Sequence, residues 1–313
     1  MIKRVVEISS EPMRLSIRND QLVLKPQGDD EAPPTKIPCE DIAMLVIEHP
    51  RTTFTQSVVA ALAEMGAAVV FCGRNHLPAA VGLPVSRNTE VVSRLNDQIA
   101  ATRPVRKQLW KHLVVAKIRA QARNLSACPP ARDKLKALAA SVRSGDPSNV
   151  EAQAARVYWS AWLHRPVGQD PQGPPATFRR DTDGDGINAL LNYGYAILRA
   201  SVGRAIVSAG LTPALGIHHH NRSNAFALAD DLLEPLRPMA DAVVRDLVWG
   251  GTTELDKTAK TALLGLLYRT VTLDDQSGPL MVALHRYTAS FIRVLRREDR
   301  RLAIPREVRD DGN

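Results

Sequence analysis

The sequence predicts an α+β protein of two domains, a small N-terminal β-rich domain followed by a larger, mainly α-helical domain. The chain has 313 residues, which is longer than one hydrophobic core usually supports. Its first part contains short alternating apolar runs, whereas its second part contains long apolar runs of helical period. We therefore expect the domains to cover residues 1–86 and 87–313.

Residues 4–24 contain three short alternating runs separated by Glu-Pro and Asn-Asp turn signals, a pattern that predicts a β-meander. The continuous apolar run Ile42–Ile47 predicts a buried strand. Residues 57–65 then fit a short helix that Gly66 ends, and Ala68–Cys72 fits a further strand. The N-terminal domain should therefore be rich in β-structure.

Beyond residue 87 the apolar spacing becomes helical. The predicted helices cover residues 90–101, 105–125, 188–209, 224–248 and 280–301. Between the second and third of these, residues 165–186 are rich in Pro, Gly and Asp, and this composition predicts an irregular loop or insertion. The second domain should therefore be mainly α.

The composition is that of a folded protein with a basic surface. Lys and Arg number 41 against 33 Asp and Glu, giving a net charge of +8, which favours a polyanionic partner such as nucleic acid. No signal peptide or membrane span is predicted, and three scattered cysteines, Cys39, Cys72 and Cys128, fit a reducing compartment. We expect a cytoplasmic protein with no membrane partner.

The densest polar cluster is a histidine run with an acidic segment shortly after it. The chain reads GIHHHN from Gly216, and Asp230, Asp231 and Glu234 follow. Carboxylates three or four residues apart share one face of a helix and, with an imidazole, can bind a divalent metal. The alternative is a solvated acidic helix start after a surface loop, because acidic residues favour helix N-termini.

A further carboxylate, Glu151, has two possible roles, helix capping and metal binding. Ser148 and Glu151 match the S-x-x-E capping box, in which the glutamate satisfies a free backbone donor at a helix start. A glutamate committed to this role is not free to bind a metal. From spacing alone the capping role is favoured over the metal role.

Residues 181–186 imitate the first half of an EF-hand loop, but Asn192 occupies the twelfth position, where a bidentate Glu is needed. We therefore predict no calcium site of this type. The chain also lacks a glycine-rich phosphate loop, a Ser-His-Asp arrangement and zinc-finger spacing, which argues against an ATPase, a serine hydrolase and a zinc-finger module.

Basic residues gather in two segments, where they could contact DNA phosphates or simply form solvated faces. In the second, 293, 297 and 300 recur at helical spacing and predict a cationic stripe. The clusters comprise Arg103, Arg106, Lys107, Lys111, Lys117, Arg119 and Arg123, and then Arg286, Arg293, Arg296, Arg297, Arg300 and Arg301.

Taken together, these segments resemble the CRISPR-associated integrase, the endonuclease of the adaptation machinery that inserts captured DNA into the repeat array. The resemblance covers nearly the whole chain. Its most specific parts are NVEAQAAR at 149–156, NALLNYGY at 188–195 and the stretch 216–238, in that order, and the form of the histidine segment is closest to the type II branch.

The resemblance implies that Glu151, His219 and Glu234 form a catalytic site that binds Mg²⁺ or Mn²⁺ in the helical domain. The histidine register comes from matching the family's Gly-Ile-x-His-His-Asn pattern, and His220 is the main competitor. Many relatives have Asp where Glu234 stands, so Asp231 is kept as a residue that supports the site.

By the same resemblance, the 3′-hydroxyl of a DNA fragment would attack a phosphodiester at the repeat boundary and displace a 3′-oxygen. The implied partners are double-stranded DNA, meaning the incoming fragment and the repeat array, and a second copy of the chain in a homodimer formed through the β-domain. A small ferredoxin-like protein would complete a heterohexamer, and in the type II branch the RNA-guided effector nuclease is a further partner. The implied location is the prokaryotic cytoplasm.

Two other functions fit many of the same residues. A stand-alone metal-dependent nuclease acting on branched or single-stranded DNA would use every residue named above. A basic DNA-binding scaffold without catalysis would use Glu151 only as a helix cap.

Overall fold

The structure is a computed structural model that describes residues 3–29, 31–85, 88–165, 178–182 and 184–308. It confirms the predicted fold class, with a β-rich N-terminal region and a mainly helical remainder. Both residues at the predicted domain boundary, 86 and 87, lie outside the described residues, and so do 166–177 and Asp183 of the predicted loop. The boundary therefore stays a prediction.

The described strands form three sheets. Sheet A has the order β1-β5-β7-β8, sheet B the order β4-β3-β2-β6, and sheet C the order β10-β9-β11. The strands are β1 Arg4–Ile8, β2 Met13–Arg18, β3 Gln21–Pro26, β4 Thr35–Pro38, β5 Ile42–Ile47, β6 Thr53–Phe54, β7 Ala68–Cys72, β8 Pro78–Gly82, β9 Thr270–Leu273, β10 Gln276–Pro279 and β11 Arg306–Glu307.

The predicted meander over residues 4–24 is wrong in its pairing, although its three strands are present. Strands β2, β3 and β4 form antiparallel neighbours in sheet B, but β1 pairs in parallel with β5 in sheet A. The parallel pairing of β1 follows from the burial of β5 on both of its faces. Strand β5 is buried at every residue, as is typical of a parallel strand covered on both faces, so it needs neighbours that extend the same sheet.

Sheet A is the layer that joins the two hydrophobic cores of the molecule. Met44 and Val46 of β5 face the large core formed with the helices. Leu45 and Ile47, which alternate with them, face the small core shared with sheet B and α1. The helical region is thus packed directly on the β-region through one strand.

Most of the described helices agree with the predicted segments in position but not always in continuity, whereas three helices, over residues 129–141, 150–161 and 257–265, were not predicted. They are α1 Gln56–Glu64, α2 Val91–Ala100, α3 Arg103–Asn124, α4 Pro129–Ser141, α5 Val150–Ala161, α6 Ile187–Ser208, α7 Ala227–Leu233, α8 Arg237–Trp249, α9 Lys257–Gly265 and α10 Leu280–Leu295. None of the helices in the described part of the chain is long and apolar enough to cross a membrane.

Two predicted helices are interrupted for identifiable reasons. The segment 224–248 splits into α7 and α8 around a 3-10 turn, Glu234–Leu236, because Pro235 and Pro238 cannot donate backbone hydrogen bonds. The segment 280–301 stops at Leu295, and Arg297 has a left-handed φ of 62°. Arg297 and Arg300 therefore do not continue a helical stripe from Arg293, and that prediction is wrong.

A buried ion pair ties sheet A to the helical region. Glu48, directly after β5, contacts the Lys260 ammonium of α9 and lies 2.6 Å from Nδ1 of His76. The side chains of Glu48 and Lys260 are 3% and 9% exposed. A charge this well buried depends on its partner, because desolvating an unpaired ion is strongly unfavourable.

We predict that Lys260→Met lowers the free energy of unfolding by about 3 kcal/mol, because it leaves the Glu48 carboxylate buried without its ammonium partner. The double variant Glu48→Leu, Lys260→Met should lose less than Lys260→Met alone. Urea unfolding monitored by circular dichroism measures both values. Losses that simply add in the double variant would contradict this account of the junction.

Candidate active site

Two of the predicted site residues, Glu151 and Glu234, meet at one ammonium group. Nζ of Lys117 lies 2.5 Å from Oε1 of Glu151 and 2.5 Å from Oε2 of Glu234. The three side chains belong to different elements: Lys117 to α3, Glu151 to α5, and Glu234 to the 3-10 turn between α7 and α8. Helix α3 packs against α5 and that turn, and this packing brings the carboxylates together.

Glu151 is free to serve the site because other residues cap its helix. The N-cap is Asn149, whose side chain accepts a hydrogen bond from the Ala152 backbone. Asp146 accepts from the backbone N–H groups of Val150 and Glu151, at 2.8 and 3.0 Å. The capping-box interpretation of Ser148 and Glu151 is therefore wrong, since the two first-turn donors already have a carboxylate.

Glu234 is a buried carboxylate that remains ionised. The residue is 5% exposed, and its Oε1 accepts a hydrogen bond of 2.9 Å from Nε of Arg237. Burial alone would raise its pKa, but Arg237 and then Lys117 outweigh that cost and lower the pKa to about 2. Its Oε2 makes the ion pair with Lys117 but no aligned hydrogen bond within the described residues.

His219 is oriented by Asp231, which lies one turn before Glu234 and is fully buried. The Asp231 carboxylate accepts from the backbone N–H groups of residues 217, 218 and 219, and it lies 2.7 Å from Nδ1 of His219. An ionised carboxylate can only accept, so Nδ1 carries the proton and Nε2 of the neutral ring is left with its lone pair. Asp231 therefore holds the loop of residues 217–219 and the His219 ring.

The two neighbouring histidines have other environments. The ring of His218 stacks on Trp110, with centroids 3.9 Å apart and an interplanar angle of 1°. His220 lines a cavity of about 470 Å³ together with Arg103, Arg106 and Lys107. Of the three imidazoles, His219 is the one whose second nitrogen is held by a buried carboxylate.

A metal site is not preformed in the described part of the chain, where no three His, Cys, Asp or Glu side chains converge closely enough to hold an ion. The donor types nevertheless fit a hard divalent cation, because two carboxylates and an imidazole suit Mg²⁺ or Mn²⁺. An ammonium between two carboxylates marks a position where positive charge is favoured. His219 is near enough to Glu234 for the carboxylate to help raise its pKa, after the larger effect of Asp231.

Two residues that contact the carboxylates, Lys117 and Arg237, were not predicted from the sequence to belong to the site. Lys117 was grouped with surface cations, yet it follows Leu113 by four residues and so lies on the buried face of α3, a signal that could have identified it. Arg237 lies over the Tyr195 ring at 4.6 Å, and the Tyr195 hydroxyl donates to Asp241. Burial raises the pKa of Asp241 to about 6 despite that hydrogen bond.

The remaining basic residues divide into paired and cavity-lining groups. Arg293 pairs with Asp299, and Arg296 pairs with Asp97, each at 2.7 Å. Lys111 and Arg119 of α3 line a cavity of about 480 Å³ with Arg301, so the two predicted clusters meet there. Pro235, next to Glu234, lines the same cavity. A cavity lined by residues of both basic clusters, and also by Asp274 and Asp275, therefore lies beside the turn that carries Glu234.

Comparison with known proteins decides the family. The model of the CRISPR associated protein Cas1 family matches residues 6–267. A CRISPR-associated endonuclease Cas1 of Neisseria meningitidis is 36% identical over 282 residues, which is 89% of this chain and 88% of the relative. The chain belongs to the Cas1 family.

Solved structures agree with that assignment at the level of the Cas1 fold. A casposase bound to integration product has a TM-score of 0.74 and 20% identity, covering 96% of this chain and 92% of that chain. A Cas6-RT-Cas1–Cas2 complex has a TM-score of 0.75 and 16% identity, covering 98% of this chain and 36% of that chain. The predicted family is confirmed by the family model and the N. meningitidis relative.

We predict that Asp231→Asn lowers the free energy of unfolding by about 2–3 kcal/mol, because an amide cannot accept from all the donors that the carboxylate holds. It should also lower the pKa of His219, since the Asp231 hydrogen bond is the main cause of its elevation. Urea unfolding and an NMR titration of the imidazole, both on metal-free protein, measure these effects.

The sign of the pH dependence follows from the raised pKa of His219. Its contribution to stability is fully present below the ordinary histidine value of 6.5 and is lost as the pH rises through the folded-state pKa. Asp230→Asn is the matched comparison, because Asp230 raises the pKa of His219 only through its charge, less than Asp231 and Glu234 do, and pairs with Arg199 at 2.8 Å. The pKa of His219 should therefore fall less in Asp230→Asn than in Asp231→Asn. An unchanged His219 pKa in Asp231→Asn would show that the hydrogen bond does not orient the ring.

Proposed function

We propose that this Cas1-family chain is a metal-dependent DNA integrase that inserts short DNA fragments into a CRISPR repeat array. The observation that carries the proposal is the meeting of Glu151 and Glu234 on one cation, beside a histidine fixed by a buried carboxylate. Paired acids from separate elements with an oriented imidazole are suited to binding a catalytic metal at a phosphodiester.

The relatives support integration in particular. The N. meningitidis relative is an endonuclease, and the casposase of similar fold was captured with an integration product. A solved complex also joins a Cas1 segment with Cas2. For this chain we accordingly propose double-stranded DNA and a small ferredoxin-like protein as partners, in a heterohexamer, with the type II effector nuclease as a further partner.

Each residue of the proposed site would have a separate role in the reaction. Glu151, Glu234 and Nε2 of His219 would hold Mg²⁺ or Mn²⁺, while Asp231 keeps the imidazole in the ligating tautomer. The bound ion supplies Lewis-acid stabilisation of the phosphate charge and of the departing 3′-oxygen. Arg237 keeps Glu234 ionised at neutral pH, so this ligand is ready without deprotonation.

The reaction is a transesterification. The 3′-hydroxyl oxygen of the fragment forms a new phosphodiester, the bond from phosphorus to the 3′-oxygen of the repeat breaks, and the hydroxyl proton is transferred to the departing oxygen through solvent. One phosphodiester replaces another, so no nucleotide cofactor is needed. With water as the nucleophile, the same site would nick DNA.

The DNA would lie along the basic cavity beside the site. Lys111, Arg119 and Arg301 line it, and Pro235 connects it to the turn that carries Glu234. Cationic side chains in such a groove neutralise phosphates and position the duplex without reading its sequence.

The β-region would provide the homodimer contact. Phe54 in sheet B and Met65 after α1 are large apolar side chains that are 40% and 38% exposed. We propose that these two exposed side chains contribute to the dimer contact.

We predict that Glu151→Gln and His219→Ala stay folded but lose at least about 100-fold of integration activity, because each would remove a ligand. His220→Ala should stay within about threefold of the unchanged protein, since His220 lines the neighbouring cavity. The assay supplies a supercoiled plasmid with a repeat, short duplexes with free 3′-hydroxyls, Mn²⁺ and the small partner.

Circular dichroism melting serves as the control for folding in each variant. Plasmid cleavage without joined product would support a stand-alone nuclease instead of an integrase. Full activity in folded Glu151→Gln would show that Glu151 does not hold a catalytic metal. Variants that lose stability, in a chain that joins no product even when unmodified, would support the DNA-binding scaffold.

A further inference from the structure

We propose that Lys117 is a built-in counter-cation that holds the Glu151 and Glu234 carboxylates together in the metal-free protein and must leave when a divalent metal binds. The proposal rests on the metal-dependent function proposed above. It adds a residue that sets metal affinity, although it would not itself be a ligand.

The geometry places Lys117 at the shared position. Its ammonium lies at 2.5 Å from one oxygen of each carboxylate, and its side chain is 14% exposed. The carboxylates are 23% and 7% exposed, so solvent screens them only partly. Without a cation between them, two such charges would repel each other and separate.

Each carboxylate can exchange this ammonium for a metal without losing its other support. Glu234 keeps Arg237 on Oε1, and its Oε2, which faces Lys117, makes no aligned hydrogen bond to any residue that the structure describes. The backbone of Glu151 keeps its hydrogen bond to Asp146. The oxygens that contact Lys117 are therefore the ones available to a metal.

An ammonium and a divalent ion cannot occupy the same few ångströms beside these oxygens. Metal binding must therefore draw on the fraction of molecules in which Lys117 has moved away. The apparent dissociation constant equals the intrinsic one divided by that fraction. If Lys117 is in place in about nine molecules of ten, apparent affinity for the metal is about tenfold weaker than the carboxylates alone would allow.

The test compares Mn²⁺ binding to wild-type protein and Lys117→Met by isothermal titration calorimetry. The methionine keeps most of the side-chain volume and removes the charge. We expect the Kd for Mn²⁺ to fall about tenfold. We also expect a lower melting temperature in EDTA, and a larger rise on adding Mn²⁺ than in the wild type, because the ion then replaces the missing cation.

Lys136→Met is the matched control, because it removes a lysine that pairs with a carboxylate, Asp133, at an exposed site on α4. Its Kd for Mn²⁺ should equal that of the wild type. An equal or weaker affinity in Lys117→Met would overturn the proposal, since Lys117 would then not compete with the metal. If neither wild type nor Lys117→Met binds Mn²⁺, the proposed metal dependence fails as well.

A second measurement uses the unmodified protein, in case Lys117→Met does not fold. Reductive methylation followed by mass spectrometry reports how accessible each lysine is. Mn²⁺ should increase methylation of Lys117 several-fold and leave Lys136 unchanged. Equal methylation of Lys117 with and without bound Mn²⁺ would overturn the proposal.

Discussion

The active region depends on one electrostatic constraint, which is that two carboxylates from different elements must share a cation. Glu151 lies in the first turn of α5, Glu234 lies in a turn between α7 and α8, and Lys117 of α3 between them supplies positive charge to both. Removing that charge would leave adjacent, partly desolvated anions. The packing of α3 against both elements is therefore also what assembles the chemistry.

Rigid supports behind the site keep this arrangement in place. Asp231 fixes the histidine loop through backbone and imidazole contacts, and Arg237 fixes Glu234 while lying over the Tyr195 ring. The large core extends from the helices into sheet A through Met44 and Val46. The orientation of the proposed metal-binding side chains thus depends on the packing of the large core. Such support gives a site the precise geometry that catalysis needs.

The sequence predicted five of the eleven described strands, most of the described helices and the family, because apolar period and ordered motifs are local signals. It failed where non-local contacts decide the outcome. The partner of β1 is β5, whose paired residues lie 38 or 39 positions further along the chain. Lys117 looked like another surface cation because its carboxylate partners are 34 and 117 residues away, and the cap of Glu151 depended on the backbone path at Asp146.

The central claim is that Glu151, His219 and Glu234 form the metal-binding site of a Cas1-family integrase. Anomalous diffraction from crystals soaked in Mn²⁺ tests it most directly, because the manganese peak locates the ion independently of activity. The account predicts one strong peak within ligand distance of both carboxylates and Nε2 of His219, with Lys117 moved away. A peak ligated by His220, or an ammonium still seated between the carboxylates of metal-loaded protein, would contradict it.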